Sequence, residues 1–194
     1  MARATSAWHH QDMRRALGSA ALAVLTAIVA VAPARAERDG PPEIGAALSR
    51  YVASPRNDRT LRKEVRRWHH TLTNGCVAYA STALRHVGVD IAERGKLDGD
   101  GISRLTRGFS RHLEENLGWR RIDDAGALRA GDLVFTTDAP CCPDYPAHVV
   151  VFHGWVDRRH HVARISDNTG HRRSRPLFPK RGDLDPFAYA LRAP

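Results

Sequence analysis

The chain has 194 residues, 42% hydrophobic and 26% charged, with a formal net charge of +9 and three cysteines. That length suits one domain with a proper core, and the lack of a Gly/Ser linker, internal repeat or second hydrophobic system excludes multidomain and repeat architectures. The basic balance either concentrates the protein near anionic polymers (cell wall, outer-membrane lipid, nucleic acid) or serves ordinary solubility.

In chain order, the first segment reads as an address. Arg14-Arg15 precede the apolar run "ALGSAALAVLTAIVAVAP", and Ala34-Arg35-Ala36 supplies a small-residue cleavage pattern. Residues 1–36 therefore read as a secretory signal peptide cut after Ala36, with 37–194 as a single domain. The rival is an uncleaved anchor, because the run approaches the ~18 residues that can span a bilayer. Residues 1–36 carry four arginines and one aspartate, so their removal lowers the net charge from +9 to +6.

After a polar leader, "EIGAALSRYVAS" (Glu43 to Ser54) predicts a short amphipathic helix that Pro55 ends, and Thr60 to His70 a basic helical stretch. In "TNGCVAYASTALRHVGV" one cysteine, Cys76, follows an Asn-Gly turn at the first turn of the next helix. Val77, Ala80, Leu84 and Val87 give that helix an apolar face, and Gly88 a stop. "KLDGDGISRL" is a glycine-rich connection, and "ISRLTRGFSRHLEENLG" predicts a further helix closed by Gly118. Strand patterns then take over in "GDLVFTT", "HVVVFHGWV" and "HVARISDN", the last two joined through Asp157 to His160 as an antiparallel pair. Helices first and strands later predict an α+β fold, with the Cys76 helix packed on an antiparallel sheet.

Cysteine hydrolysis needs a thiolate, an imidazole to form and keep the ion pair, and a polar group to orient the imidazole. A helix N-terminus favours a thiolate at Cys76. His148 opens one strand, and Asn168 ends the strand that pairs with it, which makes the two neighbours across an antiparallel ladder. His153 competes with His148 and lies on the opposite face by alternation; Asp167 competes with Asn168 on the same ground. A neutral amide suits the orienting role, which selects Asn168.

Taken together, "NGCVAYASTAL", "LRAGDLVF" and "AHVVVFHGW" resemble the NlpC/P60 family of papain-like cysteine peptidases, with the CHAP amidases as close relatives. The resemblance spans about Asn74 to Gly170. It implies a papain-like fold and an exported, monomeric hydrolase, without a cofactor, that cleaves peptide or amide bonds of peptidoglycan. By position it makes Cys76 the nucleophile, His148 the general base and acid, and Asn168 the orienting group. The Cys76 backbone N–H is then an oxyanion donor, with the Asn74 or Tyr79 side chain as a second. The insertion "DAPCCPDYPA" departs from the family pattern.

Two other functions fit the same residues. One is a catalytically inactive cell-wall-binding domain; the other is a zinc-binding exported protein using Cys141, Cys142 and a histidine. The adjacent pair Cys141-Cys142 also suits a vicinal disulfide, a bridge from one of them to Cys76, or free structural thiols. The segments "RRWHH", "DRRHH" and "HRRSR" carry no interleaved aromatics or nucleic-acid motif, so they read as solvated basic surface rather than a specific nucleic-acid site.

Overall fold

The computed structural model describes residues 43–92, 105–138, 145–180 and 185–194. The signal-peptide reading of residues 1–36, most of the glycine-rich connection and the Cys141-Cys142 pair lie outside the described residues.

Three helices come first: α1 (Ile44–Ala53), α2 (Pro55–His69) and α3 (Cys76–His86). α1 buries Leu48 and Val52 completely, each worth about 2 kcal/mol relative to exposure. Pro55 ends α1 and also starts α2, at a first-turn position where its missing N–H costs nothing. The Ser54 hydroxyl caps α2 by accepting from the Asn57 N–H at 3.4 Å. α2 thus starts five residues before the expected Thr60 and turns Asp58, Leu61, Val65 and Trp68 inward. The spacing of three and four keeps those side chains on one face.

α3 has more than one apolar face, because every residue from Cys76 to Leu84 is buried. The helix is surrounded by α1, α2, α4 (Thr106–Arg111) and the sheet. Its polar residues are satisfied inside: Ser81 donates to the Ala78 carbonyl at 3.3 Å, and Thr82 accepts from the Trp68 indole at 3.2 Å. Gly88 (φ +89°) turns the chain out of α3, where a side chain would be strained. α4 continues as a π-helical turn, His112–Asn116.

The strands are β1 (Arg120–Ile122), β2 (Leu133–Thr136), β3 (His148–Asp157), β4 (Val162–Ser166), β5 (Arg173–Pro176) and β6 (Phe187–Arg192). They form one antiparallel sheet in the order β1-β6-β2-β3-β4-β5. The architecture is α+β, with helices on an antiparallel sheet. The strands expected from the sequence are β2, β3 and β4; β1, β5 and β6 are additional.

Alternation along β3 sorts the core. Val149 and Val151 join the helices, with Leu133, Phe135, Tyr189 and Leu191. Val150 and Phe152 face the other way, onto Val134, Ala163, Ile165 and Leu177. Where α1 meets the start of β2, Gly131 (φ +94°) lets two backbones touch: a Cβ there would lie 1.8 Å from the Gly45 carbonyl oxygen.

Candidate active site

The loop after α2 determines where the thiol sits. Asn74 takes a left-handed conformation (φ 54°), and the Gly75 N–H closes a turn onto the Leu72 carbonyl at 3.1 Å. A Cβ on Gly75 would press to 3.0 Å from that same oxygen. This Asn-Gly turn brings the chain into α3 with Cys76 as its first residue, 7% exposed. A first-turn N–H has no acceptor four residues back within its helix, so the Cys76 amide is available to a ligand.

His148, the first residue of β3, lies beside it. Its Nε2–H donates to Asp167 Oδ2 at 2.9 Å. The proton belongs on Nε2 because an ionised carboxylate can only accept, which leaves Nδ1 to face the Cys76 sulfur. Burial opposes the charged imidazole, but hydrogen bonds to Asp167 and Cys76, with the charge of both, outweigh it and push the His148 pKa up to about 9.

The expectation that Asn168 orients His148 is corrected here: Asp167 does so, and the ladder register is the reason. β3 and β4 pair Phe152 with Ile165. Even steps along each strand then place Val150, His148 and Asp167 on one face, with Asp167 following the end of β4. Asn168 points elsewhere and donates from Nδ2 to the Leu72 carbonyl at 2.8 Å, tying this turn to the loop before Cys76. His153, the competing histidine, sits between the hydroxyls of Ser49 (3.1 Å) and Ser166 (2.8 Å). Burial, then the charges of Arg172, His171 and Arg164, lower its pKa to about 4.

Asp167 is 0% exposed and fully engaged. Oδ1 accepts from the Thr169 N–H (2.8 Å) and hydroxyl (2.7 Å) and from the Gly170 N–H (2.9 Å). Oδ2 takes Arg173 Nη2 at 2.6 Å as well as His148. Burial raises the carboxyl pKa, but the hydrogen bonds from His148, Arg173 and Thr169 and the Arg173 charge hold it well below the usual carboxylate range. A buried charge with this many partners is a fixed, ionised acceptor.

A second brace comes from α2. Arg62 donates to the Asn168 and Asp167 carbonyls, both at 2.8 Å, and to Asp58 Oδ2 at 2.8 Å. Tyr79, 1% exposed, donates its hydroxyl to Asp58 Oδ1 at 2.8 Å. This corrects the expectation of Tyr79 as an oxyanion donor: its hydroxyl is committed beneath the site. Burial, then the Asp58 charge, raises its pKa far beyond the usual phenol range. Asn74, the other expected donor, does line the cleft.

A cleft of about 600 Å³ opens over Cys76 and His148, with Leu72, Thr73, Leu105, Thr106 and Thr169 among its walls. Among the described residues of its lining, only Cys76 and His148 carry ionisable side chains. Sequence reasoning missed Arg62 and Arg173: an arginine in a basic segment gives no local sign of a buried partner, whether 105 residues away, as for Arg62, or six, as for Arg173. Among the described residues, no group of three His, Cys, Asp or Glu side chains is arranged to hold a metal, and no helix is long and apolar enough to cross a membrane.

The fold and site thus define an α+β protein with a buried cysteine and aspartate and a half-buried histidine at one end of its sheet. Compared with known protein families, curated proteins and solved structures, the chain matches none.

Proposed function

We propose that the protein is an exported cysteine hydrolase of papain-like, NlpC/P60 type that cleaves amide bonds in peptidoglycan stem peptides. The observation carrying this reading is Cys76 at the N-terminus of α3 beside His148, whose other nitrogen is held by the buried Asp167 carboxylate. The order Cys, His, acidic partner along the chain and the cleft that opens over Cys76 and His148 support it. The basic surface supports a substrate embedded in an anionic polymer.

In this mechanism the Cys76 thiolate attacks the amide carbonyl carbon and forms a C–S bond, while the carbonyl oxygen takes up negative charge near the Cys76 N–H. His148 gives its Nδ1 proton to the departing nitrogen as the C–N bond breaks, leaving a thioester. Water then attacks the thioester as His148 takes its proton, releasing a carboxylate and restoring the thiolate-imidazolium pair. Asp167 keeps the ring in one tautomer and stabilises its charged form.

Digestion of purified peptidoglycan followed by mass analysis tests the reading. Wild type should release muropeptides with a newly freed amine, and Cys76→Ser should release none. Intact muropeptides with reduced wild type, or cleavage that persists in Cys76→Ser, would overturn it.

A further inference from the structure

α2 shows solvent a single sign of charge. Its exposed residues include Arg56, Arg59, Lys63, Arg66 and Arg67, spaced three and four apart along a helix about 22 Å long. The two acids of α2 face away from this stripe: Asp58 is buried under Arg62 and Tyr79, and Glu64 pairs with His86 at 2.7 Å. Among the described residues, none of the five exposed cations has a side-chain ion pair or hydrogen bond. Like charges at these spacings repel and weaken a helix. The helix dipole favours Arg66 and Arg67 in the last turn, but among the described residues no acidic side chain pairs with the stripe, which leaves it open to an anionic ligand.

The stripe also leads somewhere. From its C-terminal end the chain passes directly through Leu72, Thr73 and Asn74, which line the cleft over Cys76. Four of the five cations are arginines, whose flat forked donors match phosphate oxygens two at a time. Trp68 of α2 is 2% exposed, and no Phe, Tyr or Trp lies among the exposed residues of the helix to stack nucleobases.

From these features we infer that the outer face of α2 binds a linear phosphodiester polymer of the cell envelope and steers it toward the cleft. The hydrolase reading supplies the purpose of that steering, but the binding stands without it. The test compares wild type with the triple variant Arg59→Gln, Lys63→Gln, Arg66→Gln, using poly(glycerol phosphate) as the probe and single-stranded DNA of equal charge as the rival. Wild type should bind the poly(glycerol phosphate) with an affinity that falls steeply with salt. The variant should bind more weakly, with a log–log salt slope smaller by about 2, since each single-strand phosphate contact contributes roughly 0.7. Iodoacetamide labelling of Cys76 in the variant should match wild type, which separates loss of the surface from loss of the site. An unchanged salt slope in the triple variant, or tighter binding to DNA than to poly(glycerol phosphate), would overturn the inference. Absence of muropeptide cleavage with intact polymer binding would sink only the hydrolase reading.

Discussion

Replacing Asp167 with asparagine keeps the shape of the side chain and removes its charge from the buried oxygen facing His148. In the wild type the His148 pKa stands at about 9 against an ordinary 6.5, a preference for imidazolium worth roughly 3 kcal/mol. Because the folded value lies above the unfolded one, this free energy is fully present below pH 6.5. It is lost as pH rises through 9. Asp167 stays ionised across that window, so its carboxyl group adds no titration of its own there. Urea unfolding at pH values from 6 to 10, paired with NMR titration of the His148 ring, measures both sides of this linkage. The His148 ring of wild type should titrate near 9 and that of Asp167→Asn more than about one pH unit lower, with the variant's stability depending less on pH across the range. Asn168→Ala should keep the wild-type profile. The reasoning fails if Asp167→Asn leaves the His148 titration in place, or if Asn168→Ala moves it further than Asp167→Asn does.

Arg173→Met removes one of the groups that depress the Asp167 pKa. A depressed carboxyl stabilises the fold above its ordinary 3.8 and loses that contribution as pH falls, so the variant should be about 1 kcal/mol less stable at pH 6 and unfold at higher pH on acid titration; an unchanged acid midpoint would count against the shared-carboxylate geometry. Gly131→Ala should destabilise the protein by more than about 3 kcal/mol, because its Cβ would overlap the Gly45 backbone. Urea denaturation checks this, and a loss below about 1 kcal/mol would mean that α1 moves aside easily.

How much of this was legible in the sequence varies with the range of the forces involved. α3 and the turn before it could be read, because Asn74, Gly75 and Gly88 act through local backbone geometry. β6 (Phe187–Arg192) has alternating Phe187, Tyr189 and Leu191 and was readable in principle. β5 (Arg173–Pro176) was not: its sequence, Arg-Ser-Arg-Pro, is held by pairing with β4 rather than by an apolar face. Alternation puts Asp167 rather than Asn168 on the His148 face, and its reach to His148 turned on register. Between the pairs Asp157–Val162 and Phe152–Ile165, β3 uses five residues and β4 only three. The irregularities in β3 therefore slide the end of β4 by two residues toward His148. Without them Asp167 would stand beside Phe152, on the correct face but too far along the strand. No composition rule locates such bulges, although Gly154 with φ +145° marks one.

The position of β6 has a consequence for how the molecule comes into being. Although last in sequence among the strands, it lies inside the sheet, between β1 and β2. Until residues 187–192 arrive, β1 has no strand partner and β2 has one open edge. Pairings this distant in sequence form slowly and only after the intervening chain is complete. The sheet therefore closes only once residues 187–192 have joined it. A chain interrupted before Phe187 would present unpaired strand edges, and cells would meet it as an aggregation hazard.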